Sequence, residues 1–127
     1  MRLGNMSVPG DCARISPILS RVGDKWTVLV ILILSERPKR YNQVRREVEN
    51  ISQRMLTMTL RALERDGLVA RQVYADKNPP WVEYRLTDLG QSLVGPLFTL
   101  CEWAATNCET IEKNAASNAR PATGPIV

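Results

Sequence analysis

Hydrogen-bonding and cationic side chains line one face of the segment ISQRMLTMTLRALERDGLVAR, residues 51–71. At 100° per residue they fall in a stripe that covers about a third of a helical circumference. The members of this polar stripe are Gln53, Arg54, Thr57, Arg61, Glu64 and Arg65. Glutamine and arginine can bind base edges through paired hydrogen bonds, and arginine also binds phosphate. The stripe indicates either a helix that contacts nucleic acid or a solvated surface helix, the commoner explanation of a charged stripe.

The ends of this helix are marked by its own residues. Ser52 stands where an N-cap belongs, because its hydroxyl can accept a hydrogen bond from the free N–H groups of the first turn. Gly67 stands where a helix commonly ends in a left-handed residue. Apolar side chains fill the rest of the wheel. The residues expected in the core are Met55, Leu56, Leu60 and Leu63.

Positive charge is concentrated in the middle of the chain. The 127 residues carry a net charge of +4 at pH 7. Between Arg37 and Arg85 lie 11 Lys or Arg and six Asp or Glu, so this stretch carries +5 and the remainder −1. A hydrophobic content of 44% and a charged content of 24% are typical of a single globular domain. A basic patch of this kind favours a polyanionic partner.

Residue types used for catalysis and metal binding are scarce. The chain has no histidine, which removes the usual general base and the commonest zinc ligand. Its three cysteines, Cys12, Cys101 and Cys108, are an odd number without C-x-x-C spacing, so they predict neither a disulfide framework nor a metal site. We therefore expect no enzymatic activity, no metal and no cofactor.

Neither a signal peptide nor a membrane span is expected. The N-terminus lacks an apolar signal core. The longest apolar run, VLVILIL at residues 28–34, is too short to cross a bilayer. We expect a soluble, cytoplasmic protein that does not associate with a membrane.

The sequence defines the secondary structure of the N-terminal part less clearly than that of the helix that carries the polar stripe. We expect residues 1–13 to form a flexible arm, with a short helix over Ile15–Val22. The run KWTVLVILILSE, residues 25–36, has the β-branched content of a buried strand but the length of a buried helix. Its pattern alone leaves both structures open.

A second short helix precedes the polar stripe. In RYNQVRREVEN, residues 40–50, the apolar side chains Tyr41, Val44 and Val48 recur at helical spacing. Asn50 then separates this segment from the helix that Ser52 begins. Two short helices that meet across a tight turn are the arrangement of a helix-turn-helix.

After Gly67 the hydrophobic period changes to that of a β-hairpin. LVARQVY, residues 68–74, and WVEYRL, residues 81–86, are strand-like, and ADKNPP between them is a turn. A last helix is expected after Thr87, with Pro96 inside it. Its apolar seam is Leu89, Leu93, Leu97, Leu100 and Ala104.

These elements together predict a mainly α fold with a two-stranded β wing, a winged helix-turn-helix. Its folded domain should span residues 14–113, and the small, polar, Pro-containing segment 114–127 should be disordered. In this fold the second helix of the pair enters the major groove of DNA, and the hairpin tip lies along an adjacent backbone or minor groove.

The chain resembles the HxlR-type winged-helix transcription regulators of bacteria, which are related to the MarR group. Five blocks at the expected spacing carry the resemblance over residues 12–104: VGDKWT, RPKRYNQVRREV, ISQRMLTMTLRALERDGLVAR, PPWVEYRLTDLG and LCEW. The resemblance implies that residues 28–34 form a buried helix. It also implies a homodimer that joins through the N- and C-terminal helices and binds a pseudo-palindromic operator in double-stranded DNA.

Site residues are carried over by position. Ser52, Gln53, Arg54 and Thr57 are expected in the groove, and Arg61 on phosphate. Backbone contacts are expected from Lys39 and Arg40, in the turn before the first helix of the pair, and from Lys77 and Asn78 in the wing. For Arg65 and Arg71 a surface ion pair competes with DNA contact. Trp81 departs from the basic residue common in the family, so it either packs the wing against the body of the domain or alters the wing's DNA contact.

The resemblance also makes Cys12 a candidate redox sensor. Many members have Cys-Pro near the start of the first helix, and in several this thiol senses quinones, aldehydes or oxidants. A helix N-terminus favours a reactive thiolate. Ala13 here replaces the proline, and Asp11 opposes thiolate formation whereas Arg14 favours it. Cys101 and Cys108 are more simply explained as apolar filler at the dimer seam.

Three functions therefore remain to be compared. The leading one is a sequence-specific, DNA-binding transcription regulator, controlled by thiol oxidation, electrophiles or a small ligand. The alternative is a winged-helix module that binds protein or RNA without specific duplex DNA binding, since fold alone does not settle function. The basic side chains that are expected to point outward together favour the first. A small enzyme is the weakest of the three.

Overall fold

The computed structural model describes residues 1–119. The chain divides into two compact units, one of Met1–Val94 and one that begins at Gly95. No helix within residues 1–119 is both long enough and apolar enough to span a membrane. The helices are α1 (Cys12–Val22), α2 (Lys25–Leu34), α3 (Tyr41–Glu47), α4 (Gln53–Arg65) and α5 (Asp88–Ser117). The strands are β1 (Arg2–Leu3), β2 (Met6–Ser7), β3 (Lys39–Arg40), β4 (Val69–Tyr74) and β5 (Trp81–Leu86).

The N-terminal residues form more regular structure than the sequence indicates. β1 and β2 pair as a short antiparallel hairpin inside the predicted flexible arm 1–13. α1 begins at Cys12, three residues earlier than expected, because the Asp11 carboxylate accepts a hydrogen bond from the backbone N–H of Arg14 and caps the helix. α1 leaves Ile18 and Leu19 exposed to solvent.

The ambiguous apolar run is a helix, as the family resemblance implies. The Asp24 carboxylate accepts hydrogen bonds from the backbone N–H groups of Trp26 and Thr27, each at 3.1 Å, and these fix the start of α2. Val30 and Ile31 are fully buried. Because its apolar residues surround most of the circumference, α2 is the central element on which the helix-turn-helix packs.

The helix-turn-helix consists of α3 and α4. Asn50 has a left-handed φ of 67°, which reverses the chain between the two helices. Ser52 caps α4 as expected, and Gly67 after its end has a φ of 75°, so both predicted ends are confirmed. α4 packs through a buried face of Leu56, Thr59, Leu60 and Leu63.

The prediction that Met55 lies in the core is wrong. Met55 is 38% exposed, and Met58 one turn later is 53% exposed. The apolar sector of the helical wheel is wider than the face that α2 and the sheet cover, so the side chains at its edge remain in contact with water.

The wing is a three-stranded antiparallel sheet with strand order β3-β5-β4. β4 and β5 form the predicted hairpin, in the register Val69 opposite Leu86 and Tyr74 opposite Trp81. The short strand β3 adds to the other edge of β5, with Lys39 opposite Tyr84 and Arg40 opposite Glu83. The sheet thus connects the wing directly to the residues that precede α3.

α5 follows the sheet. The Thr87 hydroxyl accepts a hydrogen bond from the backbone N–H of Gly90 at 3.1 Å and so caps the start of α5. A Cβ at Gly90 would collide with the Leu68 carbonyl, so only glycine permits this close approach. Phe98, Leu100 and Trp103 are exposed on the second unit.

The predicted disordered tail begins too early, because α5 continues through residue 117. Ala115 and Ala116, which are strong helix formers, extend the helix beyond the predicted boundary at Asn114. The rest of the predicted tail, residues 120–127, lies outside the described residues.

Candidate nucleic-acid interface

The first turn of α4 presents two exposed polar side chains in a fixed position. The Ser52 hydroxyl accepts from the backbone N–H of Met55 at 3.0 Å, so the first turn is held at its start. Gln53 and Arg54 follow directly and are exposed. Their amide and guanidinium groups carry the donors and acceptors that match base edges. Ser52 itself serves the helix end, although its side chain remains at the surface.

Tyr41 ties the two helices together. Its hydroxyl donates to the backbone carbonyl of Gln53 at 2.9 Å and lies 2.9 Å from the Thr57 hydroxyl. Thr57 is therefore half-buried and already has a partner on α3, unlike Gln53 and Arg54 on the outer face. The sequence did not reveal this contact, because Tyr41 fits the apolar spacing of α3 equally well as a core residue.

Arg61 lies two turns further along the exposed side of α4. It borders a polar pocket of about 380 Å³ together with Arg71 from β4. The other residues that line the pocket are Tyr41, Thr57, Glu64 and Tyr84. Neither arginine forms an ion pair within residues 1–119, so both guanidinium groups are available to an anion.

Lys39 does not point outward, which corrects the expectation that it accompanies Arg40 on the surface. Its side chain is 1% exposed, and its Nζ donates to Glu36 at 2.9 Å and to Glu47 at 2.6 Å. Adjacent residues of a strand face opposite sides, so β3 sends Lys39 inward and Arg40 outward. A buried ammonium with two carboxylate partners is a structural ion cluster and is not placed to contact phosphate.

The charges of this cluster stabilise one another. Burial alone would lower the pKa of Lys39, but hydrogen bonds and charge interactions with Glu47 and Glu36 outweigh it and raise that pKa. The hydrogen bond from Lys39, with its positive charge, lowers the pKa of Glu36. The cluster joins the end of α2, the strand β3 and the end of α3.

Arg40 is exposed and lies on the face of an aromatic ring. Its guanidinium carbon is 3.9 Å from the centroid of the Trp81 ring. Trp81 in turn lies 5.3 Å, centroid to centroid, from Tyr74 on the neighbouring strand. Trp81 therefore packs on side chains of the two neighbouring strands of the same sheet. Lys77 and Asn78 are exposed in the loop between β4 and β5, at the wing tip.

Sequence reasoning missed Arg46 as a possible contributor. It borders, with Arg40 and Trp81, an open pocket of about 480 Å³ beside α3. Arg46 follows the helical pattern of α3 as an ordinary outward residue. Only the pairing of β3 with β5, which brings Trp81 beside Arg40, places these side chains around one pocket.

Cys12 is the first residue of α1 and is exposed. Its Sγ lies 3.4 Å from the Ser16 hydroxyl, and the carboxylate of Asp11 caps the same turn. Cys101 is half-buried and Cys108 is exposed on α5. All three sulfurs are thiols.

A capped second helix with exposed Gln and Arg, joined to a hairpin that carries a cationic tip, defines a winged helix-turn-helix protein. The sequence profile of the HxlR-like helix-turn-helix family matches residues 21–112. The chain belongs to this family, and it is a DNA-binding transcription regulator of the HxlR type.

Individual relatives agree with this assignment. The HTH-type transcriptional regulator YkvN of Bacillus subtilis is 46% identical over 88 residues, which cover 69% of this chain and 74% of that protein. The transcriptional regulator YtfH of Salmonella typhimurium has 31% identity and a TM-score of 0.73, with 90% of this chain and 99% of that chain covered. The redox regulator HypR in its reduced form has 38% identity and a TM-score of 0.71, with 79% and 98% covered.

Proposed function

We propose that the protein regulates transcription by inserting α4 into the major groove of an operator. The observation that carries this proposal is the exposed pair Gln53 and Arg54, which the Ser52 cap and the Tyr41 hydrogen bond hold at the start of α4. In this role Gln53 and Arg54 contact base edges, and Thr57 supports the helix from its half-buried position. Arg54 suits a bidentate contact to guanine and Gln53 one to adenine.

Backbone contacts surround these base contacts. Arg61, two turns along α4 from Arg54, contacts the phosphates of one DNA strand. Arg40 contacts phosphate from the base of the wing. Lys77 and Asn78 reach the backbone from the wing tip. Such contacts position the protein and make its binding dependent on salt, but they carry no sequence information.

We infer that the regulator acts as a homodimer. α1 exposes Ile18 and Leu19, and α5 exposes Phe98, Leu100 and Trp103. Large exposed apolar side chains on two helices mark a surface for association. A two-fold dimer presents two copies of α4, so its operator is pseudo-palindromic. Oxidants or small ligands that change the dimer would change the spacing of the two α4 helices and hence DNA affinity.

Cys12 is the proposed site of thiol control. It is exposed at the start of α1, and HypR, a solved relative in fold, is described as a redox regulator. A peroxide would convert the Cys12 thiolate to a sulfenic acid and release hydroxide, because the thiolate is the nucleophile. The charge and size of the new group would act on α1, which we place in the dimer interface.

Fluorescence anisotropy tests the proposal. Duplex DNA from upstream of the protein's own gene is compared with a scrambled duplex at two salt concentrations, with and without reductant. Tight, sequence-selective and salt-sensitive binding is expected. Equal weak binding to both duplexes would contradict an operator in that region. A reductant effect that disappears in Cys12→Ser would assign the control to Cys12, whereas an effect that persists would move it elsewhere.

A further inference from the structure

One face of the wing sheet carries a continuous row of three side chains from its three strands: Tyr74 on β4, Trp81 on β5 and Arg40 on β3. Tyr74 is directly opposite Trp81 in the register, and Arg40 is opposite Glu83, two residues after Trp81. Diagonal neighbours on one face of a sheet are within reach of aromatic and long side chains. This aromatic–guanidinium row therefore follows from the strand register.

The row holds the Arg40 guanidinium by its face. The guanidinium carbon lies 3.9 Å from the Trp81 ring centroid, and Trp81 is supported from the other side by Tyr74. A stacked guanidinium uses its flat face, while its five N–H donors point outward in its plane. Stacking thus restricts the orientation of Arg40, and within residues 1–119 none of its guanidinium N–H groups donates a hydrogen bond.

The carboxylate across the strand does not neutralise Arg40. Glu83, its cross-strand neighbour, accepts a hydrogen bond from the Tyr74 hydroxyl at 3.3 Å. Within residues 1–119 no carboxylate lies within ion-pair distance of Arg40. The guanidinium is therefore positioned and charged, yet free to meet an anion.

The open pocket beside Arg40 has the composition of an anion site. Arg40 and Arg46 border it, Asn42 and Gln43 add amide donors, and no acidic residue is among its lining residues in the described chain. The pocket that Arg61 borders differs in this respect, because Glu64 belongs to its lining.

We propose that Trp81 is a positioning residue for DNA binding, which holds the Arg40 guanidinium so that its N–H edge meets a backbone phosphate at the pocket shared with Arg46. The proposal rests on the proposed function and adds to it a role for Trp81 that acts through Arg40. The indole N–H of Trp81 is buried without a hydrogen-bond partner in the described residues, so the ring itself is what the site uses.

The test uses the full chain and a fluorescein-labelled duplex of mixed sequence, about 30 base pairs long to hold two half-sites. The phosphate contribution is independent of sequence, so the operator need not be known. Dissociation constants are measured over a salt series for the wild type, Trp81→Ala, Arg40→Ala and the double variant. Trp81→Phe is the matched control, because it keeps an aromatic ring under the guanidinium while it removes the unpartnered N–H donor and reduces the size of the ring.

Trp81→Ala is expected to weaken binding about two- to fivefold, the effect of losing an exposed cation–π contact. It should leave the salt slope unchanged, because the charge of Arg40 remains. Arg40→Ala should lower the slope by about 0.9 for each protomer bound, the loss of one phosphate contact per half-site. In the Arg40→Ala background, Trp81→Ala should cause no further weakening, and Trp81→Phe should lie close to the wild type.

Three results would overturn the proposal: no effect of Trp81→Ala, equal weakening by Trp81→Ala with and without Arg40, or equal weakening by Trp81→Phe and Trp81→Ala. The second would show that Trp81 acts through wing structure alone, and thermal unfolding of each variant identifies that case. Failure of the wild type to bind duplex DNA would instead refute the proposed function, so the two failures are distinguishable.

Discussion

The helix α4 and the strand β3 both carry paired basic residues, but they present them in opposite ways. On α4, Arg54 and Arg61 are seven residues apart and lie on one exposed side. On β3, Lys39 and Arg40 are adjacent, and one is buried while the other is exposed. A helix gathers residues seven apart on one face, whereas a strand separates neighbours to opposite faces. A pair of basic residues therefore indicates a contact surface only when the period of its element is known.

The largest expected effect is a loss of stability when Lys39, the buried basic residue of β3, is replaced. Lys39→Ala should lower the free energy of unfolding by about 3 kcal/mol, because it removes a buried side chain and leaves Glu36 and Glu47 without their shared cation. Chemical denaturation measures this loss. Lys39→Met, which fills the same space without charge, should lose clearly less.

The same variants sharpen the contrast with Arg40. Among folded molecules, Lys39→Met should leave the salt slope of DNA binding unchanged, whereas Arg40→Ala should reduce that slope by about 0.9 for each protomer bound. A reduced slope in Lys39→Met would mean that Lys39 reaches phosphate despite its burial.

The next effect concerns the exposed side of α4. Arg54→Ala should cost about 1–3 kcal/mol on the specific site and relax the base preference. Lys77→Ala at the wing tip should weaken all sequences about equally and flatten the salt slope. Competition binding with operator and scrambled duplexes separates the two outcomes. Equal loss of specificity from both substitutions would contradict the assignment of α4 to the groove.

A smaller effect is expected at the helix cap. Ser52→Ala removes the acceptor of the Met55 N–H and should lower the free energy of unfolding by about 1 kcal/mol. Ser52→Asp, which keeps an acceptor at this position, should retain most of the stability. DNA affinity falls in Ser52→Asp if the cap lies close to phosphate, and that measurement locates the start of α4 relative to the backbone.

The smallest effect is on pH dependence. The pKa of Glu36 is lowered in the folded state, so its contribution to stability is present at neutral pH and lost as pH falls through that lowered pKa. The pKa of Lys39 is raised, so its contribution is lost only when strongly alkaline pH approaches that raised value. Denaturation of wild type and Lys39→Met over pH should give a stability difference that shrinks on both sides. If this stability difference did not change at acid pH, Glu36 would not contribute to the stability of the cluster.

Features decided within one helix could be predicted from the sequence. The cap at Ser52, the left-handed Gly67 and the burial of Leu56, Leu60 and Leu63 depend on residues within a few positions of one another, and the structure confirms them. The positions of the helix-turn-helix and of the two hairpin strands followed from hydrophobic period and turn residues.

Features decided by pairing between distant segments could not be predicted. The pairing of β3 with β5 joins residues more than forty positions apart, and it is what buries Lys39 and brings Arg40 onto Trp81. The exposure of Met55 depends on how much of α4 its neighbours cover, which the helical wheel does not contain. The hydrogen bonds of the Tyr41 hydroxyl could not be predicted, because the spacing of Tyr41 on α3 suits a core side chain equally well.

The hydrogen bonds of Tyr41 have a thermodynamic consequence for binding. One hydroxyl links α3 to both the first carbonyl of α4 and Thr57, so α4 is already folded and held against α3 in the free protein. Docking then needs no folding of the contact helix, and the heat-capacity change of association reports the area of the interface alone. Calorimetry of DNA binding by wild type and Tyr41→Phe would compare their entropies of association. The difference measures the conformational entropy that this hydroxyl removes from the free protein.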